Sequence, residues 1–280
     1  MVESRTLLAR QYAIRGLEED RVWNDLRENL DPIPENVREI VAHGMLEMSN
    51  NAIEHSGGTT VSIRATRTGQ KLSIQIGDDG CGIFQHLIEV GELADTEQAA
   101  IELAKGRFTT RPQDHTGEGI FFCSRAFDRF WILSDGFFLI LGDSGSASAK
   151  PADATSDFAT LVDLTIAVDS NRQLSDVYEK YAPTPECQFS RTEIPIHLLV
   201  TNGDYPMSRS QARRVVHRLE RFGGATFDFA NVDAIGQAFA DEIFRVFAGK
   251  HPEVELRYIN ASDRVDYMIR RAIANRRDND

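Results

Sequence analysis

Between Glu35 and His55, the residues His43, Glu47, Asn51 and His55 recur every four positions, which places them on one face of a helix. A carboxylate in such a row can serve as a general base, and an amide oxygen is a hard, neutral ligand. Two glycine pairs accompany the row. Asp78-Asp-Gly-Cys-Gly-Ile83 directly follows an alternating apolar run, and His115-Thr-Gly-Glu-Gly-Ile120 opens a segment with helical spacing. Glycine lets the backbone pass close to a bound group, and the helix N-terminus after the second pair favours an anion. A solvated helix surface would account for any two members of the row. It does not account for the row together with both glycine pairs.

Several elements must position these residues. Val37, Ile40, Val41, Met45, Met48 and Ala52 form an apolar stripe at helical spacing, so residues 35–55 are predicted to form one long helix, ended by Gly57-Gly58. Residues 60–65 and 71–76 alternate as two strands joined by a turn at Thr68-Gly69. Residues 84–116 read as polar and Gly-interrupted with one helical piece at 96–105, and 119–127 read as a helix. Strands follow at 129–133, 137–141 and 160–167, around a flexible loop at 142–156 rich in Gly, Ser, Ala and Asp. Helices and antiparallel strands in separate runs predict an α+β sandwich rather than a doubly wound parallel sheet.

Residues 1–34 read as an N-terminal helical segment stopped by Asp31-Pro-Ile-Pro34, and residues 35–170 as the main domain. Pro183, Pro185, Pro195 and Asn202-Gly203 mark 171–204 as a linker. Residues 205–280 then form a small α/β domain with helices at 208–222, 236–247 and 262–274 and strands at 225–229 and 253–260.

Glu47-Met-Ser-Asn-Asn51-Ala-Ile-Glu-His55, Asp78-x-Gly80-x-Gly82-Ile83 and Thr116-Gly117-x-Gly119 resemble, in order and spacing, the N box and two glycine boxes of the GHKL ATPase superfamily. The likeness covers about residues 35–168, and Asn51-Ala-Ile-Glu-His55 looks most like the anti-sigma-factor serine kinases. It implies a GHKL-type sandwich, a mixed and largely antiparallel sheet with helices on one face, that binds ATP and Mg²⁺. Asn51 is then the Mg²⁺ ligand, and Asp78 accepts from the adenine amine, where guanine presents a carbonyl. Gly80, Gly82 and Ile83 pass close to the base, Thr116, Gly117 and Gly119 to the phosphates, and the Thr160 hydroxyl matches one that closes the pocket. Residues 84–116 match the superfamily's ATP lid, which would bring Lys105, Arg107 or Arg111 to the γ-phosphate. Glu47, one turn before Asn51, matches the general base that orients a water or a Ser/Thr hydroxyl for attack. A histidine kinase needs no such base, because imidazole is already nucleophilic, so that branch is set aside. His43 and His55 are read as supporting residues, and Cys81 as a small apolar filler.

Residues 226–241, Thr-Phe-Asp-Phe-Ala-Asn-Val-Asp-Ala-Ile-Gly-Gln-Ala-Phe-Ala-Asp, resemble the central strand, loop and helix of STAS domains, so the second domain is read as STAS-like. Signalling STAS domains carry a phosphorylated Ser or Thr at the start of this helix. Here Gly236, Gln237 and Ala238 stand there, and none has a hydroxyl. The first reading is therefore a Mg·ATP-dependent regulatory ATPase coupled to a STAS-like interaction domain. The alternatives are a Ser/Thr kinase of the anti-sigma-factor type acting on another chain, or a nucleotide-gated protein or nucleic-acid binding module with incidental hydrolysis.

The composition fits these readings. A chain of 280 residues, 41% hydrophobic and 26% charged, has ample capacity for a core, which excludes disorder as the main state. It has no apolar run of about 18 residues and no secretory start, so a cytoplasmic location without membrane attachment is expected. Cys81, Cys123 and Cys187 are odd in number and widely spaced, which argues against a disulfide framework or zinc site. The formal charge is −12, yet residues 205–280 hold 13 basic against 11 acidic side chains. That excess is too small for nucleic acid to be expected as a direct partner, and Arg270, Arg271, Arg276 and Arg277 read as a solvated face of the last helix. The resemblance implies a protein partner for the STAS-like domain, and homodimerisation is a habit of the superfamily.

Overall fold

A computed structural model of the chain describes residues 4–30, 32–108, 117–142, 147–152, 156–182, 189–200 and 204–277. The first domain is built on a seven-stranded sheet in the order β1-β2-β3-β7-β4-β5-β6. Its strands are β1 (Ser4–Ala13), β2 (Thr60–Thr68), β3 (Lys71–Asp78), β4 (Arg129–Ser134), β5 (Phe137–Leu141), β6 (Ser148–Pro151) and β7 (Thr160–Ala167). All the described pairings in this sheet are antiparallel, so it is less mixed than expected. Alternation selects the inner face: Val61, Ile63 and Ala65 of β2, Leu72, Ile74 and Ile76 of β3, and Val162, Leu164 and Ile166 of β7 are all buried.

Helices α1 (Glu19–Arg27), α2 (Glu35–His55), α3 (Ile83–Gly91), α4 (Thr96–Lys105) and α5 (Gly119–Ala126) belong to this domain. The long helix α2 spans the residues expected of it and buries Val37, Ile40, Val41, Met45, Met48 and Ala52. Gly44 lies on that face because a Cβ there would come within 2.5 Å of the Phe127 ring. Among the described residues, no helix is long and apolar enough to cross a membrane.

Four expectations are corrected. Residues 4–13 are not helical: they pair antiparallel with β2 as an edge strand, with a bulge between Thr6 and Leu8. That bulge breaks the alternation, and only Leu7 and Tyr12 of the strand are buried, so the inward face leaves a weak signal. The polar stretch after Ile83 contains α3 as well as α4, and the loop at 142–156 contains β6. The segment 171–204 is not simply a linker. It carries α6 (Leu174–Tyr181), β8 (Arg191–Pro195) and a 3₁₀ turn, Ile196–Leu199. Proline is tolerated at the end of β8 because β8 is an edge strand.

The second domain is a three-stranded parallel sheet, β10-β9-β8, with β9 (Gly224–Asp228) between β8 and β10 (Glu255–Ile259). Its helices are α7 (Arg209–Val216), α8 (Gln237–Asp241) continued by a π-helical turn at Glu242–Phe247, α9 (Ala248–Lys250) and α10 (Asp263–Arg277). Phe227 of β9 meets Phe244 edge-on at 5.5 Å, anchoring the helical layer. The two domains share apolar contacts through Phe189, whose ring lies 4.4 Å from Phe121 of α5 and 5.4 Å from Phe222.

Candidate functional site

A cavity of about 300 Å³ opens between α2, the end of β3, α3, the C-terminal turn of α4, the start of α5 and β7. Glu47, Asn51 and His55 line it from α2, Asp78 from β3, Gly82 and Ile83 from the start of α3, and Thr160 from β7. Gly117 and Gly119 close it beside α5. Most of the residues singled out in the sequence therefore meet around one cavity. His43, a turn earlier on α2, stands edge-on to Tyr178 at 6.1 Å, and burial pushes its imidazole down to about 4. It packs beside the cavity without lining it.

The end near Asp78 is held by the first domain's own sheet. Asp78 is 6% exposed, and its Oδ1 accepts the Gly80 N–H at 2.9 Å. Burial pushes its carboxyl up to about 6, with the charges of Asp79 and Asp135 adding to the rise and the Gly80 hydrogen bond opposing it. Asp79 faces the other way. It accepts the Thr59 and Thr60 N–H groups at 2.7 and 2.8 Å and the Thr59 hydroxyl, which hold it below the usual carboxylate range. Two adjacent aspartates thus have opposite uses.

The glycines of this segment serve their protein neighbours first. Gly80 does not line the cavity: a Cβ there would overlap the Ser56 carbonyl at the end of α2, which also accepts the Cys81 N–H at 2.9 Å. Gly82 has φ +83°, and a Cβ there would overlap the Asp135 carboxylate. That carboxylate accepts the Phe84 and Gln85 N–H groups, both at 3.1 Å, and so caps α3. The Ile83 N–H reaches Ser134 Oγ at 3.0 Å and Thr160 Oγ1 at 3.1 Å, so the Thr160 hydroxyl has a structural partner as well as a place in the wall. Cys81 is exposed and outside the cavity wall.

At the other end, a Cβ on Gly119 would overlap Glu47 Oε2, so this glycine admits the Glu47 carboxylate to the N-terminus of α5. Gly117 has φ +71° and packs against the Phe108 backbone. Glu102 and Glu118 also line the cavity, and no Lys or Arg does so among the described residues. A polyphosphate would meet Glu47, Glu102 and Glu118 here, which suits one that arrives with a divalent cation. Asn51 offers the neutral oxygen for such a cation, and no cluster of three or more His, Cys, Asp or Glu that could hold a metal occurs among the described residues.

Lys105 and Arg107, expected to approach the γ-phosphate on lid closure, do not line the cavity in this arrangement. Lys105 is 1% exposed and pairs with Glu102 at 2.6 Å while donating to the His217 carbonyl at 2.6 Å. Arg107 donates to the Arg221 carbonyl and lies 5.6 Å from the centre of the Phe222 ring. Both turn toward the second domain because helix C-terminal carbonyls and an aromatic ring are within reach there. Arg111 and Thr116 lie outside the described residues. Ser56, Ser134, Asp135, His86, Glu102 and Phe108 also shape the site, and no pattern in the sequence singles them out together. Of these, only Asp135 left a trace, as the first residue of the Asp135-Gly136 turn between β4 and β5, where both residues have positive φ.

Residues 36–132 match the family model of the histidine kinase-, DNA gyrase B- and HSP90-like ATPases. Residues 211–266 match the model of a STAS-like domain of unknown function. A search of curated proteins finds no match. The chain carries a GHKL-type ATPase domain fused to a STAS-like domain.

Proposed function

We propose that the first domain binds Mg·ATP in this cavity and that binding and slow turnover act as a regulatory switch on the STAS-like domain. The observation that carries this is convergence: three segments far apart in sequence, around Glu47–Asn51, Asp78–Ile83 and Gly117–Gly119, meet at one cavity with a carboxylate at each end. Asp78, held by Gly80 at the end of β3, accepts the adenine amine. Glu47, over the N-terminus of α5, orients the attacking hydroxyl and takes its proton. Mg²⁺, when bound with the nucleotide, neutralises phosphate charge in a wall that contains three glutamates, with Asn51 as its protein ligand.

The same Glu47 would serve a water or a Ser/Thr hydroxyl of another chain. An acceptor at the usual STAS position of this chain is disfavoured twice. Gly236, Gln237 and Ala238 lack hydroxyls, and the Gly236 N–H is taken by the Pro206 carbonyl at 2.9 Å, with the Met207 backbone where a Cβ would lie. Calorimetry with Mg·ATP and Mg·GTP, followed by phosphate release with γ-labelled ATP, tests the reading. ATP is expected to bind in preference to GTP, with label released as phosphate and none retained on residues 205–280. Failure to bind ATP would remove the nucleotide reading, and label on a partner protein would replace the ATPase by a kinase.

A further inference from the structure

Helix α4 serves both the cavity and the other domain. Glu102 and Leu103 line the cavity, and the helix packs against the STAS-like domain through β8 and α7. Arg214 of α7 pairs with Asp95 at 2.8 Å and Glu97 at 3.6 Å, one at the N-cap and one in the first turn of α4. At the other end of α4, Lys105 donates to the carbonyls of Val215 at 3.3 Å and His217 at 2.6 Å. These carbonyls sit at the C-terminus of α7, where the helix leaves them without internal partners and its dipole is negative, so a buried ammonium is well placed. Glu102 joins the two systems: its Oε1 lies 2.6 Å from Lys105 Nζ and 3.0 Å from His217 Nδ1, and the residue also lines the cavity. Beyond α4, Arg218 lies 5.0 Å from the centre of the ring of Phe108, another cavity residue.

We propose that the STAS-like domain is a latch on α4 that holds Lys105 and Arg107 away from the nucleotide, so that ATP binding and domain docking oppose each other. The inference rests on the ATP reading above. Docking commits two cations to carbonyls of the second domain. Phosphates entering the cavity place negative charge near Glu102, the residue that the latch keeps in the wall, and like charges there weaken the docked arrangement. Undocking frees Lys105 and Arg107 to meet the phosphates. ATP then binds the undocked state better, and a change that loosens the latch tightens ATP binding until the undocked state dominates.

Hydrogen exchange of the full chain, read on residues 209–222, tests this, because that segment does not line the cavity. Saturating Mg·ATP should raise exchange there. Arg214→Glu, which faces Asp95 and Glu97 with a third acid, should raise it without nucleotide and tighten Mg·ATP binding about fivefold or more. The charge swap Arg214→Glu with Asp95→Arg should return both readouts toward wild type, which separates the latch from a folding defect. Arg218→Ala should act in the same direction more weakly. If the wild type binds Mg·ATP while residues 209–222 exchange unchanged, or if Arg214→Glu binds it no more tightly, the latch is wrong and the ATP site stands. If the wild type binds no Mg·ATP, both fall.

Discussion

The two ends of the cavity are built differently. Around Asp78 every support comes from the first domain's own sheet and its turns: Gly80 holds the carboxylate, Asp135 caps α3, and Ser134 and Thr160 receive the Ile83 N–H. Around Glu47 and Gly119, one wall is α4, and α4 leans on the other domain through Lys105 and Arg214. The first end is preorganised by short-range hydrogen bonds. The second depends on whether two domains are docked. A binding module that recognises one ligand in every state needs the former, and a switch whose output depends on the partner domain needs the latter.

The largest expected effect belongs to the Glu47 end. Glu47→Ala should lower phosphate release by about 10²-fold or more while ATP affinity stays within about tenfold, the signature of a lost general base. Equal turnover in variant and wild type would mean that Glu47 is only a carboxylate admitted by Gly119. At the Asp78 end, Asp78→Asn should weaken ATP binding by about 1.5 to 3 kcal/mol in calorimetry, since a charged acceptor becomes a neutral amide.

The same substitution should stabilise the nucleotide-free protein. A carboxyl raised from 3.8 to about 6 on folding takes up protons in the native state, so wild-type stability falls as pH rises between these values. A neutral amide in its place carries no such penalty, so the variant should gain on the order of 2 to 3 kcal/mol over wild type at pH 7, and the gap should close below about pH 4. Denaturant titrations at pH 4 and 7 check this, and a gap independent of pH would mean that Asp78 is not ionised against a burial cost. The smallest effect is expected of Thr160→Val. Ser134 remains as an acceptor for the Ile83 N–H, so the loss should be about 0.5 to 1.5 kcal/mol of stability, with ATP affinity changed less than about threefold. A larger loss of affinity would promote the Thr160 hydroxyl to a direct nucleotide contact.

What was legible in the sequence depended on range. The helix at Glu35–His55 and the strands read at 60–65 and 71–76, which run on to Thr68 and Asp78, followed from periods of 3.6 and 2 because their inner faces are almost wholly apolar. The edge strand Ser4–Ala13 was hidden because it buries only Leu7 and Tyr12 across a bulge. The strand Arg191–Pro195 was hidden by its proline and the turn signals around it, although Ile194, Ile196, Leu198 and Leu199 are all buried. The glycines and Glu47 were found, but the contacts that require the glycines, with the Ser56 carbonyl and the Asp135 and Glu47 carboxylates, were not, because they cross between elements.

By itself, the sequence determined the spacing of Glu47, Asn51, Asp78 and the box glycines, and the absence of a hydroxyl at Gly236–Ala238. These are local matters, decided by which residues share one turn or one strand. Only the tertiary structure decided where Lys105 and Arg107 point. The ammonium of Lys105 meets a carbonyl 112 residues away, at the end of a helix in the other domain. A cation on a short helix has phosphates, carboxylates and helix ends to choose among, and the energies of such pairings are similar enough that the packing around it decides.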